Sequence, residues 1–138
     1  MNSAVPFCSL NKRVSGISIR IFVIIQNMKD CVFCKIVSGE IKEEYIYEDQ
    51  KVIVHSDIHP RTETHLLITT KTHFDNFSEM MEKEPELLTH IGKVVEITTE
   101  KVGLKGKAYT WGFHSGKKQS IHHTHAQLLN VDGDELVM

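Results

Sequence analysis

The chain has few cysteines and little excess charge, and each shortage argues against a class of protein. Three Cys among 138 residues are too few, and odd in number, for a secreted domain held together by disulfides. A net charge of -2 and a pI near 6.5 give no general attraction for polyanions, which disfavours a nucleic-acid binder driven by bulk positive charge. With 41% hydrophobic and 25% charged residues, the composition is typical of one globular domain.

The beginning of the chain differs from the rest. No Asp or Glu occurs before Asp30, whereas basic residues and an apolar run over residues 17–25 do. That run is too short to cross a bilayer and contains Arg20. Translation starting at Met28, a targeting or secretory leader, and an extra edge strand all remain open. We therefore treat 1–27 as a leader and 28–138 as the functional domain, and we expect a cytoplasmic protein unless the leader directs it to an organelle.

The pattern of residues 28–138 predicts an α+β domain. Apolar residues recur at helical spacing from Glu86 to Val102, between Pro85 and Gly103, which predicts one long helix. Turn residues separate the strand-like segments, and residues 48–50 read as a hairpin turn. These segments are residues 45–47, 52–55, 65–70, about 107–113 and about 121–130. Hairpin-connected strands with one inserted helix favour an antiparallel sheet covered on one face.

The last predicted strand carries a stripe of polar side chains. In a strand His123, His125 and Gln127 point to one face, and Thr124, Ala126 and Leu128 to the other. A solvent-facing polar stripe would explain a single histidine. Here three polar residues share one face and are followed by the apolar pair Leu128 and Leu129, which favours a functional site instead.

The segment from Gln119 to Gln127 resembles the motif of the histidine-triad (HIT) superfamily, His-x-His-x-His preceded by Gln-Ser and an apolar residue. Four further segments match the same family in the same order: residues 31–40, 47–49, 56–60 and 65–73. The resemblance implies a HIT-like fold, in which an antiparallel five-stranded sheet carries one long helix and a short N-terminal helix. It also implies a homodimer. The small net charge and the short apolar run, for their part, predict no nucleic-acid or membrane partner.

The third motif position departs from the commonest pattern, because it is Gln127. This resembles the His-x-His-x-Gln arrangement of galactose-1-phosphate uridylyltransferases and diadenosine tetraphosphate phosphorylases, which are longer proteins. The length and opening motif of this chain are instead similar to those of small hydrolase-type HIT proteins. The acceptor, which is water, phosphate or a sugar phosphate, stays open.

The resemblance also implies a role for each site residue. His125 would be the nucleophile that attacks the α-phosphorus of a nucleotide, and Gln127, Ser120 and Gln119 would donate hydrogen bonds to phosphate oxygens. An amide has no titratable proton near neutrality, so Gln127 cannot act as a general acid. Nucleotide binding would use Gln119 and Ser120 again, together with a carboxylate for the ribose hydroxyls and an apolar slot for the base. These further residues are Asp57 for the ribose and Phe33, Ile36 and Ile58 for the base, although ordinary core packing is the competing interpretation of the three apolar residues.

A metal site is predicted around Cys31 and Cys34, whose spacing allows two thiolates to share one ion. The similarity to zinc-bearing HIT proteins adds His73 and His123 as ligands. A closed set of four ligands implies structural zinc. A redox pair and two inert buried thiols are the alternatives.

These observations predict a nucleotide hydrolase or nucleotidyltransferase that acts on a nucleoside phosphate or dinucleoside polyphosphate through a nucleotidyl-histidine intermediate. The alternative is a zinc-stabilised nucleotide-binding sensor or interaction protein with little turnover.

Overall fold

A computed structural model describes residues 30–131 of the chain. Its elements, in chain order, are helix α1 (Val32–Ser38), strands β1 (Tyr47–Glu48), β2 (Val52–Ser56) and β3 (His65–Thr70), helices α2 (Phe77–Lys83) and α3 (Glu86–Lys101), strand β4 (Tyr109–Phe113), a 3₁₀ turn (Gly116–Lys118) and strand β5 (His125–Asn130). The strands form one antiparallel sheet in the order β1-β2-β3-β5-β4. The predicted α+β architecture with five antiparallel strands, a long helix and a short N-terminal helix is confirmed. Within the described range, the helices are all too short or too polar to span a membrane.

Local signals define the long helix and the hairpin. Helix α3 begins after Pro85, whose φ of -62° suits a helix start, and the chain turns away at Gly103, whose φ of 79° lies in the left-handed region. In the hairpin, one carboxylate oxygen of Asp49 accepts hydrogen bonds from the N–H groups of Lys51 at 2.7 Å and Val52 at 3.0 Å. An Asx turn of this kind closes the connection without help from distant parts of the chain.

The sheet is covered on both faces, whereas the sequence predicted cover on one. Alternate strand residues such as Val54, Ile68 and Leu128 pack against α2 and α3 in the larger core. The opposite face carries a smaller core, in which Phe33 and Ile36 of α1 pack against strand residues. Every residue of β3 and β5 is therefore buried. Polar side chains on the α1 face need partners inside the protein as a result.

Two features of the connections differ from the prediction. The first is α2, which has its own start signal: the Asn76 side chain accepts from the Glu79 N–H at 2.9 Å, and Glu79 accepts in return from the Asp75 N–H. The second is β5, which begins at His125 instead of near Ile121. The Gln119 amide and the His123 N–H both donate to the Ile121 carbonyl, so this segment folds as a turn.

Candidate functional site

The predicted metal ligands come together from four separate places. Cys31 caps the start of α1, Cys34 lies in its first turn, His73 follows β3, and His123 lies two residues before the start of β5. All four are buried, and their ligand atoms lie within 4.8 Å of one another. Cys31 Sγ is 3.3 Å from His123 Nδ1, and Cys34 Sγ is 3.2 Å from His73 Nδ1. The group joins parts of the chain that are 92 residues apart.

Outer hydrogen bonds fix which ring nitrogens face the sulfurs. His123 Nε2 lies 2.6 Å from the Thr70 carbonyl oxygen, so it carries the hydrogen and donates. His73 Nε2 lies 2.9 Å from an Asp75 carboxylate oxygen and donates likewise. With the outer nitrogen as the donor, Nδ1 is the ring nitrogen that each histidine turns toward the sulfurs, and the two Nδ1 atoms are 3.1 Å apart. Metal-binding histidines are typically oriented in this way.

The dimensions suit a small tetrahedral cation. Bonds of 2.0–2.3 Å in a tetrahedral zinc site imply ligand atoms about 3.3 to 3.8 Å apart, and the neighbouring sulfur and nitrogen atoms here lie 3.2 to 3.5 Å apart. The adjacent Cys34 thiol and burial both raise the pKa of Cys31. Paired thiolates in such a place require a cation beside them, and the donor set fits zinc.

His125 is the first residue of β5 and lies on the α1 face of the sheet. Its Nδ1 is 2.7 Å from the His123 carbonyl oxygen, an acceptor, so Nδ1 carries the hydrogen and Nε2 carries the lone pair. Burial lowers the pKa of His125, which favours the neutral ring. A neutral imidazole with a fixed tautomer can act as a nucleophile through Nε2.

The three apolar residues predicted for the base slot differ in their burial. Phe33 is 4% exposed and packs edge-to-face on the rings of His125 and His55, with ring centroids 5.0 and 5.6 Å away. Ile36 belongs to the same small core, whereas Ile58 is 79% exposed. Burial lowers the pKa of His55 to about 4, so this neighbour of Phe33 is neutral at physiological pH. Phe33 and Ile36 thus have the surroundings of core residues.

Asp57 and Ser120 keep some access to solvent. One Asp57 carboxylate oxygen accepts from the His59 N–H at 2.8 Å, and the other lies 3.4 Å from His65 Nε2. Ser120 is exposed and lines a cleft of about 460 Å³ beside the Cys/His group, together with His122. This cleft adjoins the candidate metal ligands, and Gln127 is not among the residues that line it.

Gln119 is buried, and its amide nitrogen donates to the carbonyl oxygens of Asp75 at 2.5 Å and Ile121 at 3.1 Å. These bonds use both amide hydrogens on the backbone. They favour a role in shaping the loop over the phosphate contact that the sequence predicts.

The Gln127 amide is held at both ends by residues that the sequence analysis did not select. Its oxygen accepts from Arg61 Nη2 at 2.5 Å and from His65 Nε2 at 2.9 Å. Its nitrogen donates to His114 Nδ1 at 2.9 Å. A signal for His114 existed in the sequence, because a hairpin register that pairs β4 with β5 brings it level with the histidine motif.

Comparisons with known proteins agree on one family. The family model described as "Scavenger mRNA decapping enzyme C-term binding" matches residues 30–138. A HIT-like protein of Methanocaldococcus jannaschii is 34% identical over 108 residues, which cover 75% of this chain and 81% of that protein. Protein HitA of Neisseria gonorrhoeae is 33% identical over 111 residues, covering 75% and 98%. A solved HIT family hydrolase from Clostridium thermocellum has a TM-score of 0.74 and 34% identity, covering 80% of this chain and 98% of its own.

Proposed function

The chain belongs to the histidine-triad superfamily, and from this premise we propose that it is a nucleotide hydrolase or nucleotidyltransferase that acts at the α-phosphate through His125. The observation that supports this best is the 2.7 Å hydrogen bond from His125 Nδ1 to the His123 carbonyl. It holds the ring in the tautomer whose Nε2 can attack. The similarity to a protein named as a HIT family hydrolase points to the same class of reaction.

The proposed reaction has two displacements. His125 Nε2 attacks the α-phosphorus of a nucleoside phosphate or dinucleoside polyphosphate, a phosphorus–nitrogen bond forms, and the bond to the leaving oxygen breaks so that the leaving group departs as an anion. Water or a phosphorylated acceptor then attacks the same phosphorus. The phosphorus–nitrogen bond breaks, Nε2 regains its lone pair, and one proton of the acceptor is released to solvent.

Surrounding residues support the nucleophile. The edge of the Phe33 ring packs on the His125 ring and limits its rotation. We propose that Cys31, Cys34, His73 and His123 hold a structural zinc ion, whose charge would stabilise the two thiolates and cross-link α1 to the segment before β5. His123 also supplies the carbonyl that orients His125. Its ring therefore belongs to the candidate metal group, while its backbone positions the nucleophile.

Adduct detection tests the proposal directly. The protein is mixed with a dinucleoside polyphosphate, quenched in alkali and examined by mass spectrometry for a nucleotidyl group on His125. We expect an adduct in wild-type protein and in His122→Asn, which changes an exposed neighbour, and none in His125→Asn. Repeating turnover with and without inorganic phosphate separates a phosphorylase from a hydrolase.

A nucleotide sensor with little turnover is the second candidate. It is favoured by the Gln127 and Gln119 amides, which make hydrogen bonds within the protein. A sensor would bind AMP and form no adduct. That result would reject the enzymatic proposal and leave the nucleotide-binding one.

A further inference from the structure

His114 lies beside the nucleophile although it is outside the motif. The ladder between β4 and β5 pairs Gly112 with Gln127 and Phe113 with Ala126. One more step in that register brings His114 opposite His125. Phe113 packs against the larger core, so the next residue faces the other side, and the contact from His114 to Gln127 agrees with that orientation.

The contact with Gln127 determines what His114 can offer. An amide nitrogen donates and cannot accept, so His114 Nδ1 must be the acceptor in the 2.9 Å bond. A neutral ring in this tautomer carries its hydrogen on Nε2. His114 therefore has an N–H donor available for a ligand on the face that carries His125 and Gln127.

Two cationic side chains, Arg61 and Lys118, lie near His114. Arg61 is exposed and uses Nη2 on Gln127, while a guanidinium has five N–H groups in all. Burial lowers the pKa of His114, and the nearby positive charges of Arg61 and Lys118 lower it further. The Asp57 carboxylate lies 3.4 Å from His65 Nε2 on the other side of the Gln127 oxygen, so the two cations near His114 are partly balanced by one anion.

We propose that Arg61 and His114, held together through the Gln127 amide, form a subsite that binds a phosphate of the leaving group. The inference rests on the proposed function and assigns two residues outside the motif to the recognition of a phosphorylated leaving group. Guanidinium and imidazole N–H donors suit phosphate oxygens, and they would stabilise the charge that the leaving group gains. The subsite would thereby favour dinucleoside polyphosphates over esters with an uncharged leaving portion.

Two substrates and matched variants test the subsite. Diadenosine tetraphosphate releases a phosphorylated anion as its leaving group, whereas the p-nitrophenyl ester of AMP releases a phenolate without phosphate. Since a hydrogen bond to a charged group contributes enough for roughly a tenfold effect or more, we expect Arg61→Met and His114→Ala each to lower kcat/KM for the tetraphosphate about tenfold. For the ester, we expect a change below about threefold, because the missing contact is to the leaving phosphate. Lys93→Met, on α3 across the sheet, should leave kcat/KM unchanged for both substrates.

A binding measurement separates this inference from the proposed function. Calorimetry with inorganic tripolyphosphate should show binding to wild-type protein that weakens about tenfold in both variants and recovers in part in Arg61→Lys. If wild-type protein forms no His125 adduct but this binding pattern holds, the enzymatic proposal fails and the subsite stands. Equal losses on both substrates would mean that Arg61 and His114 only position Gln127. That result, or tripolyphosphate binding that is absent in wild-type protein or unchanged in the variants, would overturn the subsite.

Discussion

Phe33 offers a sharp test of whether the N-terminal helix belongs to the core or to a nucleotide slot. Its side chain is 4% exposed and touches the rings of His55, His123 and His125. Burying about 150 to 200 Å² of an aromatic side chain at about 25 cal/mol per Å² contributes roughly 4 to 5 kcal/mol. Compactness of the unfolded chain reduces that figure by about 10 to 40%. We therefore expect Phe33→Ala to lower the free energy of unfolding by about 3 to 4 kcal/mol.

Urea denaturation followed by circular dichroism measures this loss, and Val32→Ala is the matched control. Val32 precedes Phe33 in the same helix but is 37% exposed, so its loss should stay below about 1 kcal/mol. If Phe33→Ala destabilises by less than about 1.5 kcal/mol while AMP affinity falls, the core assignment is wrong and Phe33 belongs to the base slot. A large loss of stability that the control does not share supports the core assignment.

Four further predictions follow from individual side chains. Cys34→Ser should lower the zinc content of purified protein from about one ion per chain to a small fraction, as measured by atomic emission. Cys8→Ser is the control and should leave the zinc content unchanged. Equal zinc content in wild type and Cys34→Ser would reject the site. Thr98 is fully buried, and among the described residues its hydroxyl oxygen is the buried side-chain N or O atom without a hydrogen-bond partner. Thr98→Val should therefore raise the free energy of unfolding by about 1 kcal/mol or more. A lower stability of the variant in thermal or urea unfolding would contradict this. Partial burial raises the pKa of Asp49, but hydrogen bonds from two backbone N–H groups and the Tyr47 hydroxyl lower it overall. Asp49→Asn should therefore lower the free energy of unfolding above the ordinary pKa of 3.8, and the difference from wild type should shrink as the pH falls below that value. A difference that stays constant from pH 3 to 7 would reject the assignment. Because Gln127 has no proton to give an amine, adenosine phosphoramidate should turn over more slowly than a dinucleoside polyphosphate, and faster phosphoramidate cleavage would refute that role.

Short-range patterns were enough for much of the fold. The apolar spacing between Pro85 and Gly103 predicted a helix that the structure has at Glu86–Lys101. The hairpin around Asp49 was also predictable, since its hydrogen bonds lie within three residues. Helix α2 was missed although Asn76 and Glu79 form a local start signal. These features depend on neighbours in sequence, so sequence alone determines them.

The sequence also identified the group of two Cys and two His, because family spacing relates positions that the fold must bring together. The tertiary structure decided what the sequence could not, namely which donor meets which acceptor. Arg61 and Gln127 are 66 residues apart, and no local pattern links them. The cover of α1 over the second face of the sheet buries the polar residues there. Burial obliges each such group to find a partner inside the protein, and packing between distant segments determines which partner lies within reach.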